Sequence, residues 1–169
     1  IKTKFIVHER SEELLIDIDK SKSLYQEALT LRSKFLVDNN FSKLANLMSQ
    51  DFGGYYVLIG RLSQDLNLHG LDLDISIRIP IHSGMGSSAA ITAAIIRSVY
   101  SELGQVINNK DLFEITKEIE DFQHGRSSGV DPAIIINGGY LFYEHARDDR
   151  KSFKQIKINN DQLKDIYLI

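Results

Sequence analysis

Residues 79–94 read IPIHSGMGSSAAITAA, and this stretch decides the fold. Alternating apolar residues before it predict a strand and small residues after it predict a helix, with a glycine-serine loop between them. Gly84 and Gly86 allow the backbone to approach an anion closely. Ser87 and Ser88 place hydroxyls at the helix start, where unpaired N–H groups and the helix dipole favour negative charge. The junction therefore predicts a phosphate-binding loop.

The composition is that of an ordinary globular protein. The 169 residues, 43% hydrophobic and 25% charged, suffice for one sizeable core and are few for two full domains. The net charge is −3 and no basic cluster alternates with aromatic residues, so we expect no nucleic-acid partner. Because cysteine is absent, disulfides and thiolate metal sites are excluded. No apolar run reaches the roughly 20 residues of a membrane span and no signal-peptide pattern is found, so we expect a cytoplasmic protein without a membrane partner.

The rest of the pattern mixes helices and strands. Strict alternation over 71–79 gives the strand before the loop one buried face, and Gly104 is a plausible C-cap of the helix after it. Further strands are predicted at 3–7, 14–18 and 140–144, and helices at 21–50 with a break at Asn39-Asn40, at 55–66, at 88–103 and at 111–123. The closing DIYLI resembles one more strand. We therefore expect an α/β (α+β) fold.

The glycine loop by itself leaves several interpretations open. A P-loop is excluded because no Gly-Lys-Ser/Thr follows the glycines. Gly84, Gly86 and Ala89 satisfy the dinucleotide pattern G-x-G-x-x-G/A, but that fold requires a strand where a second helix is predicted. A plain packing turn would explain Gly84 and the alanines, but not two consecutive serines at the helix start.

A second segment, EIEDFQHGRSSGVDPAIIINGG at 118–139, carries further candidates. Glu120 lies in the last turn of a helix, where the dipole disfavours an acid; it is either a solvated surface residue or a neighbour of a bound cation. Asp131 either caps the following helix or projects a carboxylate into a site. His124 is either a plain helix-terminal residue or a substrate contact. The closing glycine pair predicts a tight turn.

Together the two segments resemble the GHMP kinases, the family of galactokinase, homoserine kinase, mevalonate kinase and phosphomevalonate kinase. Residues 80–90 are similar to the family's phosphate-binding loop, P-x-x-x-G-L-G-S-S-A-A, with Met85 in place of leucine. Residues 120–139 are most similar to the mevalonate kinase version, E…HGxPSGxD…GG, with Ser127 where proline is usual.

The resemblance implies a role for each matching residue. Asp131 would act as general base toward the acceptor hydroxyl, or would chiefly position that hydroxyl. Ser88 and Glu120 would hold Mg²⁺ between the phosphates, which answers the dipole objection to Glu120. The ATP phosphates would be cradled by the loop residues Gly84, Met85, Gly86, Ser87, Ser88 and Ala89. His124 and Gly129 would contact the substrate.

The resemblance also implies a domain organisation. Residues 1–150 would form the family's N-terminal, ATP-binding domain, which is ribosomal protein S5 domain 2-like, without its first lysine-bearing strand. Residues 151–169 would be a linker and the first strand of a C-terminal ferredoxin-like domain that is largely absent. We expect the 169-residue piece alone to be inactive and the parent protein to be active.

The implied reaction is Mg²⁺-dependent transfer of the γ-phosphoryl group of ATP to the primary hydroxyl of mevalonate, in isoprenoid precursor synthesis. Two alternatives remain open. One is another GHMP kinase acting on phosphomevalonate, homoserine or a sugar, and the other is a catalytically incompetent module that retains the fold. Homodimers are common among relatives, so a homodimer is a further expectation.

Overall fold

The computed structural model describes residues 2–4, 12–69, 71–75, 84–145 and 151–157. In chain order their elements are β1 (Lys2–Lys4), β2 (Glu12–Ile16), α1 (Ile18–Asp38), α2 (Ser42–Ser49), α3 (Gly53–Asp65), β3 (Leu71–Ile75), α4 (Ser87–Glu102), α5 (Asn109–His124), α6 (Val130–Asn137), β4 (Tyr140–His145) and β5 (Lys151–Ile156). The expected α+β mixture of helices and strands is confirmed.

The strands form two separate sheets. In the first, β3 is central and pairs parallel with β1 and antiparallel with β2. Leu71 and Leu73 of β3 are buried while Asp72 and Asp74 are partly exposed, which confirms the predicted one-sided strand in its described part. The predicted continuation over 76–79 lies outside the described residues. In the second sheet, β4 and β5 pair antiparallel, with Tyr140 opposite Ile156.

The core lies where α3, α4 and α5 meet the first sheet and α1. Helix α3 is buried on most sides, since four consecutive positions from Val57 to Gly60 are inaccessible to solvent. Large side chains that are almost completely buried line all three helices: Val57, Leu58, Ile59, Leu62, Ile95, Ile96, Leu112, Ile119 and Phe122. This packing fixes the starts of α4 and α6 and the end of α5 relative to one another.

Several predicted boundaries change in the structure. The strand predicted at 14–18 is wrong at its end, because Asp17 caps α1 by accepting the N–H groups of Asp19 and Lys20 at 2.9 and 3.0 Å. Ile18 is therefore the first residue of a helix. The break at Asn39-Asn40 is confirmed, with Asn39 in the left-handed conformation at φ 55°.

The second sheet is a hairpin of β4 and β5, and β5 is a strand that was not predicted from the sequence. Phe153 of β5 contacts Phe113 of α5, with ring centroids 6.0 Å apart, so the hairpin packs on the helical body. The domain boundary predicted at residue 150 stays a prediction. The strands predicted at 5–7 and in the closing DIYLI lie outside the described residues. Among the helices described here, none combines the length and apolar character needed to cross a membrane.

Candidate functional site

The first turn of α4 has the geometry of an anion-binding helix start. Gly86 is the N-cap residue at φ 66° and Gly84 has φ 72°, conformations that favour glycine. No described side chain caps this helix, so its first N–H groups have no side-chain acceptor. A Cβ built on Gly84 would meet no described atom within 4 Å. A phosphate group would find free N–H donors and the positive end of the helix dipole here.

Asp131 lies directly against this helix start. A Cβ built on Gly86 would lie 3.4 Å from Asp131 Cγ and 3.7 Å from Oδ1. Asp131 is the second residue of α6, whose N-cap is Gly129, so the interpretation of Asp131 as a cap is wrong. Its side chain is exposed and makes no hydrogen bond or ion pair within the described part of the chain. The carboxylate is therefore available to a ligand held at the start of α4.

Glu120 is buried in the last turns of α5. Only 3% of its surface is exposed, so its interpretation as a solvated surface residue is wrong. Its Oε2 lies 3.6 Å from His124 Nε2, and its Oε1 is buried with no hydrogen-bond partner among the described residues. Leaving a carboxylate oxygen buried and unpaired is costly, which favours a bound cation as its partner.

The oxygen atoms around Glu120 suit Mg²⁺, which needs few protein ligands. They do not suit a metal ion that is held by protein side chains alone. The described residues contain no group of three or more His, Asp or Glu that could hold a metal ion. Mg²⁺ commonly takes one or two protein oxygens and completes its shell with water and substrate phosphates. One carboxylate and one hydroxyl next to an anion-binding helix start match that requirement.

Ser88 supplies the hydroxyl, from the first turn of α4. It donates a hydrogen bond to Gln123 Oε1 on α5. Gln123 follows Glu120 by three positions, and residues at that spacing are neighbours on a helix surface. Ser88 and Glu120 are therefore brought into one region. The other residues of the loop differ in exposure: Met85 is exposed, Ser87 is partly buried and Ala89 is buried.

Asp121 anchors the loop that leads to Asp131, and the sequence did not reveal this role. Its Oδ2 accepts from Arg32 at 2.7 Å and from Lys117 at 2.8 Å. Its Oδ1 accepts the backbone N–H of Ser127 at 2.7 Å. The spacing of four between Lys117 and Asp121 was a partial signal, but the contact with α1 depends on tertiary packing.

The structure gives Gly129 and His124 different surroundings. Gly129 is buried at φ 86°, and its N–H donates to Ser127 Oγ at 3.1 Å. The His124 side chain is 60% exposed. Their contacts with a substrate stay predictions. Gly138 and Gly139 have φ of 66° and 69°, as the predicted tight turn between α6 and β4 requires.

A cleft of about 260 Å³ opens beside Ser88. The aromatic rings of Phe52 and Tyr55 stack on one side of it, with centroids 6.2 Å apart and planes 29° apart. Met48 and Ile91 add apolar surface, and Ser88 and Gln123 contribute polar groups. The cleft was not identified from the sequence, because its walls come from α2, α3, α4 and α5.

These features define an α+β domain in which helix α4 begins at a glycine N-cap, beside the carboxylate of Asp131. Residues 40–139 match the family described as GHMP kinases N terminal domain, and the chain belongs to the GHMP kinase family. No solved structure matches the chain.

Several curated relatives carry the name mevalonate kinase. The one from Thermococcus onnurineus is 30% identical over 121 residues, covering 72% of this chain and 36% of the relative. The one from Pyrococcus horikoshii is 28% identical over 125 residues, covering 74% and 36%. The one from Archaeoglobus fulgidus is 34% identical over 101 residues, covering 60% and 36%. The matched part of this chain thus spans about a third of the length of these relatives.

Proposed function

We propose that the intact protein transfers the γ-phosphoryl group of ATP to the primary hydroxyl of mevalonate. The observation that carries this proposal is the position of the Asp131 carboxylate against Gly86, at the N-terminus of α4. Phosphoryl transfer requires mainly positioning and charge neutralisation, and this arrangement offers a phosphate site and a carboxylate side by side.

In the proposed reaction the N–H groups at the start of α4 hold the phosphates of ATP. Asp131 accepts a hydrogen bond from the acceptor hydroxyl and takes its proton as the new oxygen–phosphorus bond forms. The bond between the γ-phosphorus and its bridging oxygen breaks, and ADP leaves. Asp131 belongs to the first turn of α6 and lies beside the N-cap of α4, so its carboxylate is close to the phosphates that α4 would hold, as a base for the acceptor requires.

Ser88 and Glu120 would hold the Mg²⁺ ion. When bound, the ion would neutralise charge on the phosphate oxygens. The unpaired Oε1 of Glu120 supports this assignment, since a cation would supply its missing partner. The same observation disfavours the alternative of a catalytically incompetent module. In such a module the buried, unpaired carboxylate would destabilise the fold with no bound cation to compensate.

The cleft beside Ser88 would take the nucleoside part of ATP. It adjoins the phosphate site through Ser88, and the rings of Phe52 and Tyr55 give it the flat apolar surface that a base stacks on. This placement leaves the side of the loop next to Asp131 for the acceptor.

Mevalonate is proposed as the acceptor because several relatives are named mevalonate kinase. A second candidate is another GHMP kinase acceptor, which Ser127 favours because it replaces the proline that is usual in the mevalonate kinase version of the motif.

The experiment is an acceptor panel with the intact protein. ADP release would be measured with Mg·ATP and, in turn, mevalonate, phosphomevalonate, homoserine, galactose and no acceptor. We expect mevalonate alone to raise ADP release well above the blank. Release no faster with mevalonate than without any acceptor would refute the specific proposal, and stimulation by another acceptor would identify the second candidate.

A further inference from the structure

Gln123 occupies an unusual position between the two proposed metal ligands. It lies three residues after Glu120 on α5, and its Oε1 accepts the hydroxyl hydrogen of Ser88 on α4. Its Nε2 faces Gly54, where a built Cβ would lie 3.3 Å away. The side chain thus lies between α3 and α4, with a hydrogen bond to Ser88 on the α4 side.

The chemistry of a serine hydroxyl explains why this contact matters. The group has one hydrogen to donate and lone pairs that accept a hydrogen bond or bind a metal. A serine in the first turn of a helix often turns its hydroxyl toward nearby backbone groups instead. With the hydrogen of Ser88 fixed on Gln123, the oxygen keeps its lone pairs free for a cation.

Resting on the proposed function, we propose that Gln123 is a positioning residue for the metal. It holds the hydrogen of the Ser88 hydroxyl so that the oxygen lone pairs face the ion shared with Glu120. Groups that orient a metal ligand in this way commonly change metal affinity by roughly 10- to 100-fold when they are removed.

An amide suits this task better than the alternatives at the same position. It accepts a hydrogen bond without adding charge, so it does not compete with the phosphates for the cation. A leucine of similar size would fill the same space but would leave the Ser88 hydrogen without an acceptor. If Gln123 served only to fill space, leucine would replace it without loss. If it positions the Ser88 hydroxyl, leucine should weaken metal binding.

The test measures metal binding rather than turnover. The intact protein would be titrated with Mn²⁺, followed by electron paramagnetic resonance, in the presence of a non-hydrolysable ATP analogue. We expect Gln123→Leu to weaken Mn²⁺ binding about 10- to 100-fold. Analogue binding measured without metal should stay unchanged. Gln123→Glu keeps an acceptor oxygen for the Ser88 hydroxyl, so it should lose less Mn²⁺ affinity than Gln123→Leu.

Gln105 provides the matched control, since it follows the C-terminal end of α4, outside the cleft, and is exposed with no side-chain hydrogen bond to a described residue. Gln105→Leu should leave Mn²⁺ binding unchanged. Ser88→Ala completes a double-mutant cycle: adding Gln123→Leu to it should cause no further loss, because the amide acts only through the hydroxyl.

The outcomes separate this inference from the function on which it rests. Equal weakening of analogue binding with and without metal in Gln123→Leu, or independent losses in the cycle, would overturn the positioning role alone. If the wild type bound no Mn²⁺ with the analogue, and Ser88→Ala and Glu120→Gln changed nothing, the proposed function would fail and the inference with it.

Discussion

Asp131 combines three properties at the scale of a single residue: its side chain is exposed, it has no described polar partner, and it lies beside the glycine at the start of α4. We predict that Asp131→Asn lowers kcat about 10²- to 10⁴-fold, the usual range for loss of a general base. Affinity for Mg·ATP should stay within about twofold, since the phosphate donors belong to α4. Initial rates and nucleotide titrations of the intact protein would measure both quantities.

A matched change controls for loss of an acid in the first turn of a helix. Asp19 occupies the first turn of α1 with its side chain 98% exposed, far along the chain from the site. Asp19→Asn should leave kcat unchanged. An Asp131→Asn enzyme with more than a tenth of wild-type kcat would argue that the carboxylate only positions the acceptor.

Ser127 stands where the mevalonate kinase version of the motif usually has proline, and its backbone makes a contact that proline could not make. Its backbone N–H donates to the buried Asp121, and proline has no N–H. We predict that Ser127→Pro destabilises the protein by about 1 to 3 kcal/mol, the cost of leaving a buried acceptor unsatisfied. It should also lower kcat, because the loop leads to Asp131. Urea unfolding and initial rates would test this.

Ser127→Ala is the comparison that separates the backbone group from the side chain. It keeps the N–H that Asp121 accepts and removes only the Oγ that accepts from Gly129. We expect it to retain more stability than Ser127→Pro. A proline variant as stable as the wild type would show that the loop does not depend on Asp121.

At the scale of elements, the contact between α1 and α3 depends on Gly60. A Cβ built there would lie 2.1 Å from the carbonyl oxygen of Ser21 and 2.7 Å from Tyr25 Cβ. We predict that Gly60→Ala destabilises the protein by about 1 to 3 kcal/mol. The new Cβ would clash with the backbone of Ser21, and this cost outweighs the higher helix propensity of alanine. Thermal unfolding of the two proteins would measure the loss.

Gly54 in the same helix gives the control. A Cβ there would lie 3.3 Å from Gln123 Nε2 and 3.7 Å from Met48 Cε, and the nearest backbone atom of another element, Met48 O, would lie 4.0 Å away. Gly54→Ala should change stability by less than about 1 kcal/mol. Equal losses in the two variants would contradict the account of Gly60 as the point of close helix approach.

Elements were more predictable from the sequence than the contacts between them. Periodicity identified the helices, and the glycine-serine loop was recognisable because its residues satisfy a local requirement for positive φ and a free helix start. The burial of Glu120 and the bond between Ser88 and Gln123 were not predictable, since they arise where α4 packs on α5. The start of α1 was misplaced because Asp17 acts as a cap inside an apolar alternation.

At the scale of the whole molecule, Glu118 joins three helices that are distant in sequence. It accepts from Tyr25 of α1 at 2.8 Å and from Arg61 of α3 at 2.9 Å. Arg61 also contacts Asp65 at 2.6 Å. Tyr25 is buried and the Glu118 side chain is 22% exposed, so the loss of this hydrogen bond would leave a partly buried charged acceptor short of one donor.

The Tyr25 hydroxyl also makes stability depend on pH. Burial raises its pKa, and the hydrogen bond to Glu118 raises it further. Since the unfolded tyrosine ionises near pH 10, its stabilisation is complete below that pH and is lost as the pH rises toward the folded-state pKa. We predict that Tyr25→Phe costs about 1.5 to 3 kcal/mol near pH 7, and that the difference from the wild type shrinks above about pH 10.

Urea unfolding of both proteins across this range would test the prediction. Tyr140→Phe, at a ring that is 41% exposed, controls for removal of a tyrosine hydroxyl and should cost less than about 0.5 kcal/mol. A difference between the wild type and Tyr25→Phe that stays constant above pH 10 would mean that the hydroxyl contributes by packing alone. In that case Glu118 would connect α5 to α3 through Arg61, and the proton of Tyr25 would add nothing to the attachment of α1.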